Sequence, residues 1–161
     1  MFQTITYTGT KEENYELVIK QLQALLDGED DVIANLSNAS ALLNQFLEEI
    51  NWVGFYLYKK EQNELVLGPF HGLPACVRIA LGQGVCGTAL HEEPTIRVKD
   101  VNQFPGHIAC DAASKSEIVV PMIKNGEKIG VLDVDSPIED RFDEVDQKYL
   151  EQFVATLVKY I

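Results

Sequence analysis

The stretch Asn51–Tyr58, NWVGFYLY, decides the fold because it is apolar or aromatic on both of its alternating faces. A strand with this pattern is covered on both sides and lies inside a sheet. Side chains alternate along a strand. The two faces are therefore Trp52, Gly54, Tyr56 and Tyr58 on one side, and Val53, Phe55 and Leu57 on the other.

Two hairpins are predicted around this strand. The turn at 61–63 returns the chain into a second strand at 64–67, which Gly68-Pro69 is predicted to end. Farther on, strands at 117–122 and 128–135 are joined by Lys124-Asn125-Gly126, and Asn-Gly is a strong hairpin signal. Shorter strands are predicted at 77–81 and 95–98.

Apolar residues spaced three and four apart predict helices before and after these strands. The predicted helices cover about 12–26, about 31–49, 84–91 and about 143–160. Asp30 or Asp31 is the expected N-cap of the second helix, and Asp143 that of the last. Sequential hairpins combined with helices indicate an α+β fold, with a central antiparallel sheet of about six strands flanked by helices. The 161 residues are expected to form a single domain over 1–161.

The charge of the chain and the composition of its N-terminus argue against nucleic acid and membrane as partners. Its formal net charge is -12, and no cluster of Lys or Arg offsets this locally, so nucleic acid is not an expected partner. The N-terminus carries neither a basic region nor a long apolar run, so no signal peptide and no membrane partner are predicted.

The cysteines Cys76, Cys86 and Cys110 all lie between residues 76 and 117. Because three cannot form a closed disulfide framework, they are buried structural thiols, metal ligands or redox groups. Only His107 and Cys110 have zinc-like spacing, and no second pair matches it, so no metal is predicted. Cys76 and Cys110 sit in loops flanked by Pro and Gly, where the chain can move enough to bring two thiols together.

The segment GQGVCG, residues 82–87, matches the glycine pattern of a dinucleotide-binding loop. That motif requires a strand–helix–strand unit with parallel strands, whereas the flanking segments are predicted hairpins. We interpret the glycines as a device that lets a tight loop bring Cys86 and a helix start close to a ligand.

Two acids lie on an otherwise apolar strand face, which is predicted to carry Ile129, Val131, Asp133 and Asp135. Burying such carboxylates is costly unless they bind something, although a strand-end turn is an equal alternative. Glu117 begins the partner strand and joins them. Three acids facing one pocket can hold a cationic amine, and one of them can stay protonated as a proton donor. Trp52 and Tyr56 would then be aromatic walls, or alternatively core residues.

Several motifs together resemble the free methionine-(R)-sulfoxide reductases, small cytosolic enzymes built on a GAF domain. The motifs are NWVGFY at 51–56, GPFHG at 68–72, Ala75-Cys76, GVCG at 84–87, FPGHIACD at 104–111, SEIV at 116–119 and GVLDVDSP at 130–137. The likeness covers nearly the whole chain. It implies a single GAF domain and an oxidoreductase that repairs oxidised free methionine in the cytoplasm.

The resemblance also implies the roles of individual residues. Cys110 is the nucleophile that attacks the sulfoxide sulfur, Cys76 resolves the sulfenic acid as a disulfide, and Cys86 has an auxiliary or alternative resolving role. Glu117, Asp133 and Asp135 match the substrate-binding acids, and Trp52 and Tyr56 match the pocket aromatics. No cofactor is bound; thioredoxin is the reductant, supplied with electrons by NADPH through thioredoxin reductase. A homodimer is also a possibility, since GAF domains often dimerise through their helices.

Acids near the reactive thiol raise its pKa, so we expect activation to lie mainly in the substrate. Our hypothesis is that Glu117 stays protonated and donates to the sulfoxide oxygen. Two alternatives remain: a sensory GAF module that binds a small molecule without reacting, and a thiol redox sensor in which Cys76 and Cys110 respond to oxidants directly.

Overall fold

The strand predicted to be internal lies at the centre of a six-stranded sheet. The computed structural model, which describes residues 5–108 and 111–161, has the strand order β3-β2-β1-β6-β5-β4, with antiparallel neighbours throughout. The strands are β1 (Trp52–Lys59), β2 (Glu64–His71), β3 (Arg78–Ala80), β4 (Ile96–Val98), β5 (Ser116–Lys124) and β6 (Glu127–Ser136). The predicted α+β class with about six antiparallel strands is confirmed.

The helices lie close to their predicted positions: α1 (Lys11–Leu26), α2 (Val32–Phe46), α3 (Gly84–Glu92) and α4 (Glu144–Leu157), followed by a 3-10 turn over Val158–Tyr160. Asp31 caps α2 by accepting a hydrogen bond from the backbone N–H of Ala34 at 2.8 Å. The second helix stops three residues before the predicted end, because Leu47 adopts extended backbone and buries its side chain in the core. No helix among the described residues is both long enough and apolar enough to cross a bilayer.

The two faces of the sheet support two separate hydrophobic cores. On one face, α1, α2 and α4 pack over Val53 and Phe55 of β1. On the other face, Trp52 and Tyr56 join a smaller core beneath α3. The predicted division of the β1 side chains between two covered faces is confirmed.

The prediction that Gly68-Pro69 ends β2 is wrong, because β2 continues to His71. Gly54 pairs with Phe70 and Tyr56 with Leu67, so β2 has an extra residue here and forms a bulge. A bulge accepts a proline because its extra residue is left out of the hydrogen-bond ladder, and proline has no N–H to donate to that ladder. Gly54 permits the close approach, since a Cβ there would lie 2.2 Å from the Phe70 Cβ.

A second bulge changes the face of one residue on β6. Met122 pairs with Gly130 but Ile123 pairs with Lys128, so Ile129 is the extra residue. Ile129 packs against the core beneath α1, α2 and α4, whereas Val131 belongs to the core beneath α3. The prediction that Ile129 shares a face with Val131 is therefore wrong. The turn that joins β5 and β6 is the predicted Asn-Gly turn, with φ of 52° at Asn125 and 79° at Gly126.

A buried carboxylate ties the N-terminal helix to the C-terminal one. Asp146 has no exposed surface and accepts hydrogen bonds from the Tyr15 hydroxyl at 2.5 Å, the Lys11 ammonium at 2.9 Å and the Arg141 guanidinium at 3.4 Å. Tyr15 comes from α1, and Arg141 precedes α4. Two cations and a hydroxyl therefore converge on one side chain.

Substitution Asp146→Ala is expected to lower the free energy of unfolding by about 3–5 kcal/mol, because it leaves the buried Tyr15 hydroxyl without a partner and removes the buried carboxylate that pairs with Arg141 and Lys11. Urea denaturation monitored by circular dichroism measures the change. Glu144→Ala is the matched control, because Glu144 is exposed and lies two residues before Asp146 on the same helix. Its free energy of unfolding is expected to change by no more than about 0.5 kcal/mol. Equal losses in the two variants would contradict the assigned role of Asp146.

Candidate active site

Three carboxylates meet at one end of the β5–β6 hairpin, as the alternation of side chains predicted. Glu117 pairs directly with Asp135 across the two strands, and Asp133 lies two residues before Asp135 on the same face of β6. Glu117 and Asp133 are buried, with 6% and 5% of their surfaces exposed. All three line one cavity on the α3 side of the sheet.

Burial raises the pKa of each of these acids, and repulsion from neighbouring carboxylates adds to the rise for Glu117 and Asp135. Burial raises the pKa of Glu117 well above its usual value, and the charges of Asp133 and Asp135 add to the rise. The pKa of Asp135 is raised by burial and by the Asp133 charge, and burial likewise raises that of Asp133. Three such groups titrate as a unit, so the cluster retains protons at a pH at which isolated carboxyl groups have lost them.

The aromatic residues predicted as pocket walls do line the cavity, and they also hold the segment that contains Cys76. The Trp52 and Tyr56 rings stack with centroids 5.9 Å apart. The Trp52 indole N–H donates to the Leu73 carbonyl at 3.2 Å, and the Tyr56 hydroxyl donates to the Cys76 carbonyl at 2.9 Å. The central strand thus holds the backbone of this loop at two points.

Helix α3 brings Cys86 to the acid cluster. Its thiol is free and buried, and Sγ lies 4.0 Å from the Glu117 Oε2 atom. Burial raises the pKa of this thiol, and the charges of Asp133 and Glu117 raise it further. A thiol in this environment keeps its proton at neutral pH.

The glycines of the 82–87 segment allow a backbone conformation and a close contact that other residues would not, as predicted from the glycine pattern. Gly84 has φ of 62°, in the left-handed region that favours glycine. A Cβ on Gly87 would lie 2.5 Å from the Ala80 carbonyl oxygen, so only glycine lets α3 approach β3 this closely. Residues 83–86 line the cavity, which places the N-terminus of α3 at its wall.

Cys110 lies outside the described residues, so its predicted role stays a prediction. The chain resumes at Asp111, whose carboxylate accepts a hydrogen bond from the Asn51 side-chain amide at 3.0 Å. The same amide group donates to the Ser114 hydroxyl at 3.0 Å. Asn51, immediately before β1, thus holds the segment that follows Cys110.

Sequence reasoning missed these anchoring residues and understated His107. Asn51 and Asp111 are sixty residues apart, and no local spacing pattern connects them. His107 was considered only as half of a zinc-like pair, yet its Nε2 lies 3.9 Å from the Glu117 Oε1 atom and its ring lines the cavity. The motif FPGHIACD was the available signal, because it places a histidine in the same loop as Cys110.

The cavity is small, with a volume of about 50 Å³, so it suits only a small ligand. One wall is acidic, another is aromatic, and a third is the N-terminus of a helix. This arrangement suits a small ligand with a cationic group at one end and an uncharged, polarisable body. The acids that keep their protons can also donate one to a bound group.

Comparison with known proteins places this arrangement in a family. Residues 38–161 match the sequence profile of the GAF domain. The chain is 58% identical to Protein YtsP of Bacillus subtilis over 159 residues, which cover 99% of this chain and 98% of that protein. It is 50% identical to the free methionine-R-sulfoxide reductase of Escherichia coli over 151 residues, 94% of this chain and 90% of the relative.

A solved structure agrees with these sequence matches. The free methionine-R-sulfoxide reductase of Neisseria meningitidis, in complex with its substrate, superposes with a TM-score of 0.94 at 42% identity, covering 99% of this chain and 95% of that one. The fold and the relatives lead to the same conclusion. The chain belongs to the GAF domain family, in the group that contains the free methionine-R-sulfoxide reductases.

Proposed function

We propose that the protein reduces free L-methionine-(R)-sulfoxide to methionine. The observation that carries the proposal is the buried acid cluster, in which the Asp133 Oδ1 atom has no hydrogen-bond partner in the part of the chain that the structure describes. Among the described residues that line the cavity there is no Lys or Arg to neutralise these acids. A buried carboxylate without a cation is costly, so the cluster favours a ligand that brings one. The amino group of a free amino acid is such a cation.

The opposite end of an amino acid fits the N-terminus of α3. Gln83 stands at the N-cap position but makes no side-chain capping hydrogen bond. The first backbone N–H groups of the helix are therefore available to an anion, and the helix dipole favours one there. A free amino acid carries both charges, whereas a methionine sulfoxide residue within a peptide carries neither. The pocket would thus select the free compound.

The thiol chemistry follows the roles that the resemblance implies. The Cys110 sulfur attacks the sulfoxide sulfur and gives a transient sulfur–sulfur adduct. The oxygen then passes from the methionine sulfur to the Cys110 sulfur as the old S–O bond and the adduct bond break, so methionine leaves and Cys110, whose thiol proton is now on the oxygen, is a sulfenic acid. The Cys76 thiol then attacks that sulfur, forming a disulfide and releasing water. A thioredoxin dithiol reduces the disulfide and is itself oxidised. Support for the resolving role is the Tyr56 hydrogen bond, which holds the Cys76 backbone beside the cavity.

Glu117 is the acid best placed to protonate the sulfoxide oxygen. It keeps its proton because it is buried between two other carboxyl groups, and it contacts both Cys86 and His107. Protonation makes the sulfoxide sulfur more electrophilic and weakens its bond to oxygen, so the nucleophilic thiol need not be strongly acidic. Cys86, buried and protonated, serves as an auxiliary group in this scheme. The need for thioredoxin implies a reducing compartment, which is the basis for proposing a cytoplasmic location.

The defining experiment supplies the purified protein with each resolved diastereomer of free methionine sulfoxide, together with thioredoxin, thioredoxin reductase and NADPH. NADPH oxidation is expected with the R form and not with the S form or with an N-acetylated, amidated R form. A sensory domain would bind ligand without consuming NADPH. A thiol redox sensor would consume NADPH with peroxide but not with either diastereomer.

Substitution Asp133→Asn is expected to raise KM for free methionine-(R)-sulfoxide roughly 30-fold, which corresponds to a loss of about 2 kcal/mol from a buried charge pair. Steady-state kinetics over a wide substrate range measure it. Asp30→Asn removes an equal charge from the exposed loop between α1 and α2 and is expected to leave KM unchanged. An unchanged KM in Asp133→Asn would remove Asp133 from amine binding.

A further inference from the structure

The acid cluster and Cys86 together have the composition of a metal site. One ligand atom each from Cys86, Glu117 and Asp133 lies within 4.8 Å of the others. These side chains come from α3, β5 and β6, so three regular elements fix their positions. All three residues are buried.

A second observation points to a cation at the same place. The Asp133 Oδ1 atom is buried and has no hydrogen-bond partner within residues 5–108 and 111–161, and Asp133 is only 5% exposed. Asp133 lines the cavity, together with Cys86 and Glu117. A buried acceptor without a donor is rare in folded proteins and calls for an occupant.

We propose that Cys86, Glu117 and Asp133 form an inhibitory binding site for Zn²⁺. Zinc accepts a thiolate together with carboxylate oxygens, whereas Mg²⁺ and Ca²⁺ prefer oxygen ligands alone. Bond lengths of about 2.3 Å to sulfur and about 2.0–2.2 Å to oxygen put tetrahedral ligand atoms roughly 3.3–3.6 Å apart. The observed Sγ–Oε2 distance of 4.0 Å needs only a small inward movement of the side chains.

The chemistry of binding is a ligand exchange. The Cys86 S–H bond and the carboxyl O–H bond of Glu117 break, both protons pass to the buffer, and sulfur–zinc and oxygen–zinc bonds form without any change of oxidation state. Three protein ligands leave a fourth position toward the cavity, for water or for the neighbouring His107 imidazole. Zinc in this position neutralises the carboxylates that the amine of a substrate would otherwise use, so metal and substrate exclude one another.

The test is a calorimetric titration of the reduced, chelator-treated full-length protein with ZnCl₂. One ion per chain is expected, and Cys86→Ser is expected to weaken binding at least roughly 100-fold, since even outer-shell losses cost about 10–100-fold. The matched control is the double variant Cys76→Ser/Cys110→Ser, which removes the other thiols and is expected to bind zinc with unchanged affinity. MgCl₂ is expected to give no heat of specific binding.

Cobalt provides a readout that depends on the sulfur ligand. Co²⁺ bound to the wild-type protein is expected to show a thiolate-to-metal charge-transfer band that is absent from Cys86→Ser and present in the double variant. If Cys86→Ser does not fold, this band in the wild type and the zinc affinity of Asp133→Asn carry the test. Zinc binding that survives in Cys86→Ser, or that is lost in the double variant, would overturn the proposal.

One arm of the test rests on the proposed function, and the titration itself does not. Free methionine sulfoxide is expected to raise the apparent Kd for zinc in proportion to its concentration. If zinc binding requires Cys86 but the amino acid has no effect on it, the zinc site stands and the assignment of the acids to amine binding fails. The two failures are thus distinguishable.

Discussion

Replacement of Cys110 by Ser is expected to abolish the reduction of free methionine-(R)-sulfoxide, with a loss of at least roughly 10³-fold in kcat, because the nucleophile acts as part of a unit. Serine keeps the size and polarity of the side chain but is far less nucleophilic toward sulfur. Binding depends on the acids and aromatics, which the substitution does not touch. The Kd for the sulfoxide, measured by calorimetry, is therefore expected to remain within about threefold of the wild-type value.

The matched control for this variant is Cys76→Ser, which lacks the resolving thiol and keeps the nucleophile. Rapid mixing without thioredoxin is expected to release one methionine per chain from Cys76→Ser and none from Cys110→Ser. With thioredoxin present, Cys76→Ser is expected to stop after that first turnover. A stoichiometric burst from Cys110→Ser would show that another thiol attacks the sulfoxide, and the assignment of roles to the two cysteines would then be exchanged or abandoned.

The second large effect is expected from Glu117→Gln, which should lower kcat at neutral pH by roughly 10²–10⁴-fold, the usual contribution of a general acid. The donor must be protonated to act. Burial and the two neighbouring carboxyl groups raise the Glu117 pKa. The wild-type rate should therefore hold at low pH and fall as the pH rises through that raised pKa. Glutamine has no such proton, so this falling limb is expected to disappear.

The pH dependence of kcat distinguishes a proton donor from a residue that only shapes the pocket. Glu127→Gln is the control, because Glu127 is exposed at the far end of the same hairpin. It should keep both the rate and the alkaline limb. A lowered rate in Glu117→Gln with the limb intact would assign proton donation to another group, and an unchanged rate would remove Glu117 from the mechanism.

Much of the architecture was predictable because it depends on local patterns. The alternation around Trp52 and Phe55 predicted which side chains enter each core, and the Asn125-Gly126 turn predicted that β5 and β6 form a hairpin. Alternation also placed Asp133 and Asp135 on one face of β6, at the end of the hairpin where Glu117 begins β5. The exact pairing of Glu117 with Asp135 depends in addition on the extra residue Ile129, since the turn alone would set Glu117 opposite Val134.

The features that sequence could not supply depend on pairings between distant segments. Pro69 was predicted to end β2, but the strand continues because a bulge opposite β1 accepts a residue without an N–H. Ile129 changed faces because one extra residue shifts the alternation, and nothing in the sequence of β6 alone marks where that residue falls. The Asn51–Asp111 hydrogen bond joins segments sixty residues apart, so its recognition required the folded chain.

The two cores have a consequence for altering the ligand that the domain accepts. The layer beneath α1, α2 and α4 holds most of the large, fully buried side chains, including Tyr15, Phe55 and Phe153. The smaller core beneath α3 packs on the same sheet but is built from different side chains. Residues such as Trp52 and Asp135 therefore belong to a surface that can be redesigned separately from the packing that keeps the chain folded. This domain is a suitable scaffold for new amine-binding pockets, since changes in the cavity leave the larger core intact.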